Sequence, residues 1–174
     1  MSRVSPELSI EPVTTFHIEP LLVLVRACVS HLCSQGIDQW DEAYPSRSTI
    51  ETDVATGAAF VARCAGAIAG VIVLNQHQEH AYAMVPWRFT HGPVLVVHRL
   101  MVHPDAEGQG LARALMAFAE KRALASGYAS IRLDAFAENP RALRLYERLG
   151  YRAAGEVRFR KGRFRCFEKD LHLP

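Results

Sequence analysis

The order of elements along these 174 residues predicts an α/β fold, one sheet sandwiched between helices. Three observations carry this. "PVLVVHRLMV", residues 93–102, is apolar nearly throughout, as a central strand covered on both faces should be. Helical and strand patterns alternate β-α-β-α after it. No linker or internal repeat divides the chain, so residues 1–174 read as one domain, long enough to bury a real core.

"LSIEPVT" alternates weakly and reads as a first strand. Residues 16–34 read as a helix with Pro20 in its first turns, stopped by Gly36. "SRSTIETDVAT" is a candidate short helix in an otherwise polar stretch. "AAFVAR" and "AIAGVIVLN" form a hairpin around "CAG", and "QHQEHAYAMVPWRFTHG" reads as a polar loop or crossover. After the central strand, Leu111, Leu115, Ala119 and Ala123 recur at four-residue spacing in a helix from Gly110 to Ser126. "SIRLDAF" alternates as a strand. "ENPRALRLYERLG" is a second helix, with Asn139 at its N-cap, Pro140 at its first position and Gly150 ending it. Residues 151–171 close the chain as strands, with "RKGR" as a hairpin turn.

Composition excludes several classes. The N-terminus has no apolar stretch of signal-peptide type, and the most apolar run, residues 58–74, is broken by Arg63, Gly66 and Gly70. No membrane association is expected. Four cysteines without a CxxC pair make a reduced, cytoplasmic protein the simplest reading. Eight scattered histidines show no metal-binding spacing, so no metal is assigned. Net charge is +2, unevenly spread: residues 1–60 hold eight acids and three arginines, and residues 98–174 hold fifteen Lys/Arg and nine acids. A basic half suits a polyphosphate ligand and an acidic half a cationic one, though two solvated faces would read the same way.

"HPDAEGQGLARAL" is the stretch with chemistry in it. N–H groups at a helix start lack internal partners, the macrodipole is positive there, and glycines let a ligand approach the backbone. Strand–Gly-x-Gly–helix is therefore a candidate pyrophosphate cradle as well as a plain turn. It is no Walker A loop, since Leu111 and Ala112 follow Gly110, and no Rossmann turn, since Arg113 stands at the third glycine's place.

"LMVHPDAEGQGLARALM" followed by "ENPRALRLYERLGYRAAGE" resembles the Gcn5-related N-acetyltransferases, over roughly residues 8–170 and most strongly over 94–156. The family's Arg/Gln-x-x-Gly-x-Gly/Ala motif falls on Glu107, Gly108, Gln109, Gly110, Leu111 and Ala112. Its Asn with a helical Tyr seven residues on falls on Asn139 and Tyr146. The resemblance implies a mixed sheet of about six to seven strands with helices on both faces, and acetyl-CoA as cosubstrate. It implies that the backbone of Leu100, Met101 and Val102 pairs with the pantetheine arm. It implies that the amides of Gly108 to Arg113 face the diphosphate, that Asn139 sits near the thioester, and that Tyr146 protonates the departing thiolate. Some arylalkylamine acetyltransferases carry a deprotonating histidine at the position of His98. "GIDQWDEAYPS" resembles a segment of a poorly characterised subgroup, and dimers are common in the family.

These roles are chemically coherent. An alkylammonium with a pKa of ~10.4 must lose a proton before attack, and histidine starts near ~6.5. Direct transfer needs no enzyme nucleophile. Each residue also has a plainer reading. Tyr146 shares a face with Ala142, Leu145 and Leu149, His98 suits a hydrogen-bonded core, and Trp40 and Tyr44 are either a substrate wall or a plug at the core's edge. Glu168 and "RFRKGRFR" read as a solvated edge; contact with nucleic acid is the less favoured use of that hairpin. Glu107 stands where the family has a cation or amide. Its side chain is expected to turn to solvent, toward Arg113, leaving the backbone to work. The function expected is acetyl transfer to a primary amine, of a small molecule or a peptide. The alternative is a non-catalytic acyl-CoA sensor.

Overall fold

The computed structural model describes residues 8–172. In chain order the elements are β1 (Leu8–Pro12), α1 (Ile18–Ser34), α2 (Arg47–Ala55), β2 (Ala59–Cys64), β3 (Ala67–Asn75), β4 (Val94–Val102), α3 (Leu111–Ala125), β5 (Ser130–Phe136), α4 (Pro140–Arg148), β6 (Arg152–Phe159) and β7 (Gly162–Asp170). Short 3-10 turns precede α1, divide the β3–β4 connection at His80–Met84, and follow β4 at Pro104–Ala106. The seven strands form one sheet in the order β1-β2-β3-β4-β5-β7-β6. All neighbours are antiparallel except β4 and β5.

Helices cover both faces. On one, the four-residue stripe of α3 (Leu111, Leu115, Ala119, Ala123) is buried with Met116 against Ile72, Leu95, Val97, Ile131 and Leu133. On the other, Leu21, Leu22, Val25 and Cys28 of α1 and Ile50 of α2 pack on Val61, Val71, Val73 and Met101. By length and composition, one helical stretch among the described residues, Thr15–Ser34, could cross a membrane. In the fold this stretch is the turn before α1 and α1 itself, which lays Leu21, Leu22, Val25 and Cys28 on the sheet. Both short helices begin on side-chain caps: Ser46 Oγ accepts from Thr49 N (3.2 Å), and Asn139 Oδ1 accepts from Ala142 N (3.1 Å) with Pro140 following.

Two irregularities in β4 create the site. Val71 faces Met101 and Val73 faces His98, so two steps along β3 match three along β4. The extra residue is a bulge at Arg99–Leu100, and Arg99 sits at φ +36, a strained value for a side-chain-bearing residue. Pairing of β4 with β5 covers only Val94–Val96 against Ser130–Arg132. Beyond it the strands part, and a wedge opens between their facing edges.

The 76–92 connection is more than a polar loop. Tyr82 is fully buried within it, and Trp87 Nε1 donates to the Tyr82 carbonyl (2.9 Å). Glu168 corrects the expectation of a solvated edge: it is 1% exposed, and its carboxylate accepts from the backbone N–H of Arg88 (2.9 Å) and Phe89 (3.1 Å). A polar loop laid across β7 needs an acceptor for those amides, and Glu168 supplies it. Glu168→Ala should therefore cost about 2–4 kcal/mol, since two backbone donors lose their charged acceptor. Equilibrium urea unfolding measures this; a loss under 0.5 kcal/mol would show that the carboxylate does not anchor the loop.

Candidate active site

A cleft of about 710 Å³ fills the wedge between β4 and β5, within the range of small-molecule sites. On one side it is walled by the far half of β4 and by the loop entering α3. Gly108 (φ +73) and Gly110 (φ +83) hold that loop in a conformation L side chains resist, and at both positions the space a Cβ would enter is open. The first long-helix bond closed there is from Ala114 N to Gly110 O (3.0 Å), so the amides of Leu111, Ala112 and Arg113 precede the helical ladder. All three residues line the cleft. An open cradle with a free strand edge leading to it fits a diphosphate on an extended arm.

The other half of the cleft is polar and crowded with charge. Arg99, thrown inward by the bulge, pairs in fork geometry with the buried Asp53 (Nε to Oδ2, 3.1 Å) and donates from Nη1 to the Tyr44 hydroxyl (2.5 Å). The β6–β7 hairpin tip reaches the mouth. Arg160 pairs with Asp41 (2.8 Å), and Lys161 with Asp38 (2.6 Å) and Asp41 (2.8 Å). Arg160 and Lys161 hold the Asp41 carboxyl well below the usual carboxylate range.

Two carboxylates in the cleft keep no Lys or Arg partner among the described residues, Asp134 and Glu79. Asp134, on β5, accepts from the Tyr82 hydroxyl (2.7 Å). Burial, helped by Glu79 and opposed by the Tyr82 hydrogen bond, pushes its carboxyl up to about 6. His98 moves the other way. Burial and then Arg99 lower its imidazole to about 4, and its Nε2 donates to Asn75 Oδ1 (2.9 Å). Tyr146, on α4, is 6% exposed and rests on Tyr151 and Phe167 at 6.0 and 5.8 Å between ring centroids. Its hydroxyl has no hydrogen-bond partner among the described residues, and burial, with Asp134 nearby, raises its pKa well above 10.

The chain matches the profile of the acetyltransferase (GNAT) family over residues 26–151. It belongs to the GNAT family. Solved structures agree on the fold. An acetyltransferase of this family from Streptococcus agalactiae is 21% identical, with TM-score 0.84 over 97% of this chain and 98% of that one. The ribosomal-protein-S18-alanine N-acetyltransferase of Escherichia coli is 16% identical, with TM-score 0.71 over 97% and 96%. YncA of Salmonella typhimurium, solved with its cofactor acetyl-CoA, is 16% identical, with TM-score 0.66 over 96% and 95%. This GNAT protein is an acyltransferase, and acetyl-CoA is the acyl donor its family uses.

The fold brings nearly all the sequence-derived candidates to one cleft. His98, Leu100, Met101, Val102, Glu107, Gly108, Gly110, Leu111, Ala112, Arg113, Asn139, Tyr146, Trp40 and Tyr44 all line it. Gln109 does not; its amide turns back to the Asp105 carbonyl (3.0 Å). Asn139 is doubly committed, its oxygen to the α4 cap and its Nδ2 to Gln39 Oε1 (3.0 Å). Glu107 departs from expectation. Its side chain is 23% exposed and pairs with Arg141, not with Arg113. Arg141 donates from both Nη atoms to the Glu107 carboxylate, and His31 Nε2 adds a contact at 3.2 Å. An acid at a helix start finds the nearest strong cation, and here α4 presents it across the cleft.

Asp134, Glu79 and Arg99 are the site residues that the sequence hid. In "SIRLDAF" the outward phase of the alternation, Arg132 and Asp134, reads as solvated, and only the 76–92 loop laid over it makes it a site. The one usable signal was Arg99, a charge inside an otherwise apolar central strand.

Proposed function

We propose that this protein transfers an acetyl group directly from acetyl-CoA to a primary amine, on a small molecule or at a peptide amino group. The observation that carries this reading is the wedge itself. It brings the free β4 edge and the glycine cradle into one cleft with Tyr146 of α4 and with Asp134 of β5, a carboxylate that has no Lys or Arg partner among the described residues. Bound there, the cosubstrate supplies an acetyl thioester.

The roles of the chain's own residues follow. Leu100 to Val102 offer backbone hydrogen bonds along the arm, and the amides from Gly108 to Arg113 face the diphosphate. Asp134 takes the proton from the bound ammonium. Between the two candidate bases, burial raises Asp134 and lowers His98, which makes Asp134 the stronger base. His98 also has its Nε2 engaged as a donor, which leaves it the weaker base and a holder of the wall. Direct transfer is favoured over an acyl-enzyme because the cysteine lining the cleft, Cys28, is no nucleophile. Burial pushes its thiol up to about 12, and it donates to the Val102 carbonyl (3.3 Å).

The charge pattern also narrows the acceptor. The acidic N-terminal half suggests a cationic acceptor, yet Asp38, Asp41 and Asp53 are all cancelled by Arg or Lys. Asp134 and Glu79 are left to meet a cation. That suits one ammonium group entering between Trp40, Tyr44 and the 76–92 loop rather than a polycation spread on the surface. A cytoplasmic location and a dimer are compatible with this reading.

The test is release of free CoA from acetyl-CoA over a panel of mono- and polyamines, aminoacyl compounds and short peptides. Turnover is expected with at least one monoamine or peptide amine. CoA binding with no turnover on any acceptor would favour an acyl-CoA sensor instead.

A further inference from the structure

We infer that Arg141 is the side-chain cation for the cosubstrate's diphosphate, and that Glu107 serves to hold it in place. The inference rests on the acetyl-CoA reading above and deepens it. The glycine cradle offers backbone amides, but its leading position carries an acid where a cation would be expected. A carboxylate beside a diphosphate costs roughly 4 kcal/mol for a single charge pair at 4 Å and an effective dielectric of 20, about a thousandfold in affinity.

The structure shows how that cost is removed. Glu107 and Arg141 both line the cleft, one at the loop entering α3 and the other in the first turn of α4. Arg141 meets Glu107 end-on, with Nη2 at 2.6 Å from Oε1 and Nη1 on Oε2. The carboxylate is thereby neutralised, with His31 as a second support. A guanidinium has five N–H donors, and the fork to Glu107 uses two. The others stay available, and the Arg141 side chain is half exposed at the cleft's rim. Arg141 can therefore hold Glu107 and a phosphate oxygen at once. The local charge that the family places on the loop is supplied here from across the cleft, and Glu107 fixes its rotamer. Arg113, exposed on α3, has no such anchor among the described residues.

The experiment is isothermal titration of CoA, alongside ligand-observed NMR with pantetheine, which lacks the diphosphate. Arg141→Ala should weaken CoA by at least ten- to a hundredfold, the loss of a charged hydrogen bond, with repulsion from Glu107 added to it, and leave pantetheine unchanged. It also uncovers Glu107, so Glu107→Gln in the Arg141→Ala background should recover part of the affinity. Arg141→Lys should fall between wild type and Arg141→Ala, keeping the charge without the fork. Unchanged CoA affinity in Arg141→Ala overturns the inference. So does equal weakening of CoA and pantetheine, or no recovery in the double variant. Failure of the wild type to bind CoA at all would instead overturn the acetyl-CoA reading.

Discussion

Asp134→Asn is expected to lower kcat/KM for the amine by roughly 10²- to 10⁴-fold, the contribution of a positioned general base. The wild-type profile should fall tenfold per pH unit below about 6, where Asp134 becomes protonated, and the variant should lose that limb. Folding supplies the control. Burial raises the carboxyl from an ordinary 3.8 to about 6, so the folded protein prefers the neutral acid. That preference contributes stability in full below the ordinary pKa and loses it as pH rises through about 6. At pH 7 the permanently neutral Asn variant should thus be no less stable than wild type, with the Tyr82 hydroxyl still donating to its side-chain oxygen. An inactive but stable protein assigns the loss to chemistry. His98→Ala should cost less, and its acid limb should stay near 6, because His98 titrates near 4. A limb near 6 that survives in Asp134→Asn and disappears in His98→Ala would reverse the two assignments.

The architecture was legible because its signals are local. The α3 stripe, the Asn139–Pro140 start and the unbroken apolar run of β4 each carry their structure in a dozen residues or fewer. The turn into α3 was legible for the same reason, since Gly108 and Gly110 mark a left-handed turn before a helix wherever they stand. Charge partners were not. Glu107 and Arg141 are 34 residues apart, Arg99 and Asp53 are 46 apart, and Glu168 lies 80 from Arg88. Each pairing exists because sheet order places β4 beside β5 and the hairpin over the cleft mouth, and no spacing rule within one segment encodes that. The expectation that Glu107 turns to solvent failed on this point: the nearest cation in sequence was Arg113, and the nearest in space was Arg141. Asp134 was hidden for a related reason. Its phase along β5 looks solvated until the seventeen-residue 76–92 loop folds over it and burial raises its pKa.

Tyr146→Phe is expected to lower kcat by about 10²- to 10³-fold while KM for acetyl-CoA changes little, as when one preorganised donor to a developing anion is removed. The substitution is nearly silent in packing. The ring keeps its edge contact with Tyr151 and its tilt on Phe167, and no hydrogen bond to a described residue is broken. A core role alone therefore predicts no change in kcat and stability within about 0.5 kcal/mol. The pKa separates two modes of action. Because burial holds the phenol well above its ordinary value, it keeps its proton throughout the working range. The expected mode of action is therefore a hydrogen bond donated to the departing sulfur rather than transfer of the proton, and no limb of the pH profile below about pH 10 should belong to it. The size of the effect should follow the need of the leaving group. Acyl donors whose thiols are more acidic carry a better-stabilised anion, so the ratio of wild-type to Tyr146→Phe rates should shrink as thiol pKa falls. Single-turnover rates with acetyl-CoA and a more acidic thioester measure that ratio directly. A constant ratio across donors would remove Tyr146 from the leaving-group step, and an unchanged kcat would return it to the core it shares with Leu145 and Ala142.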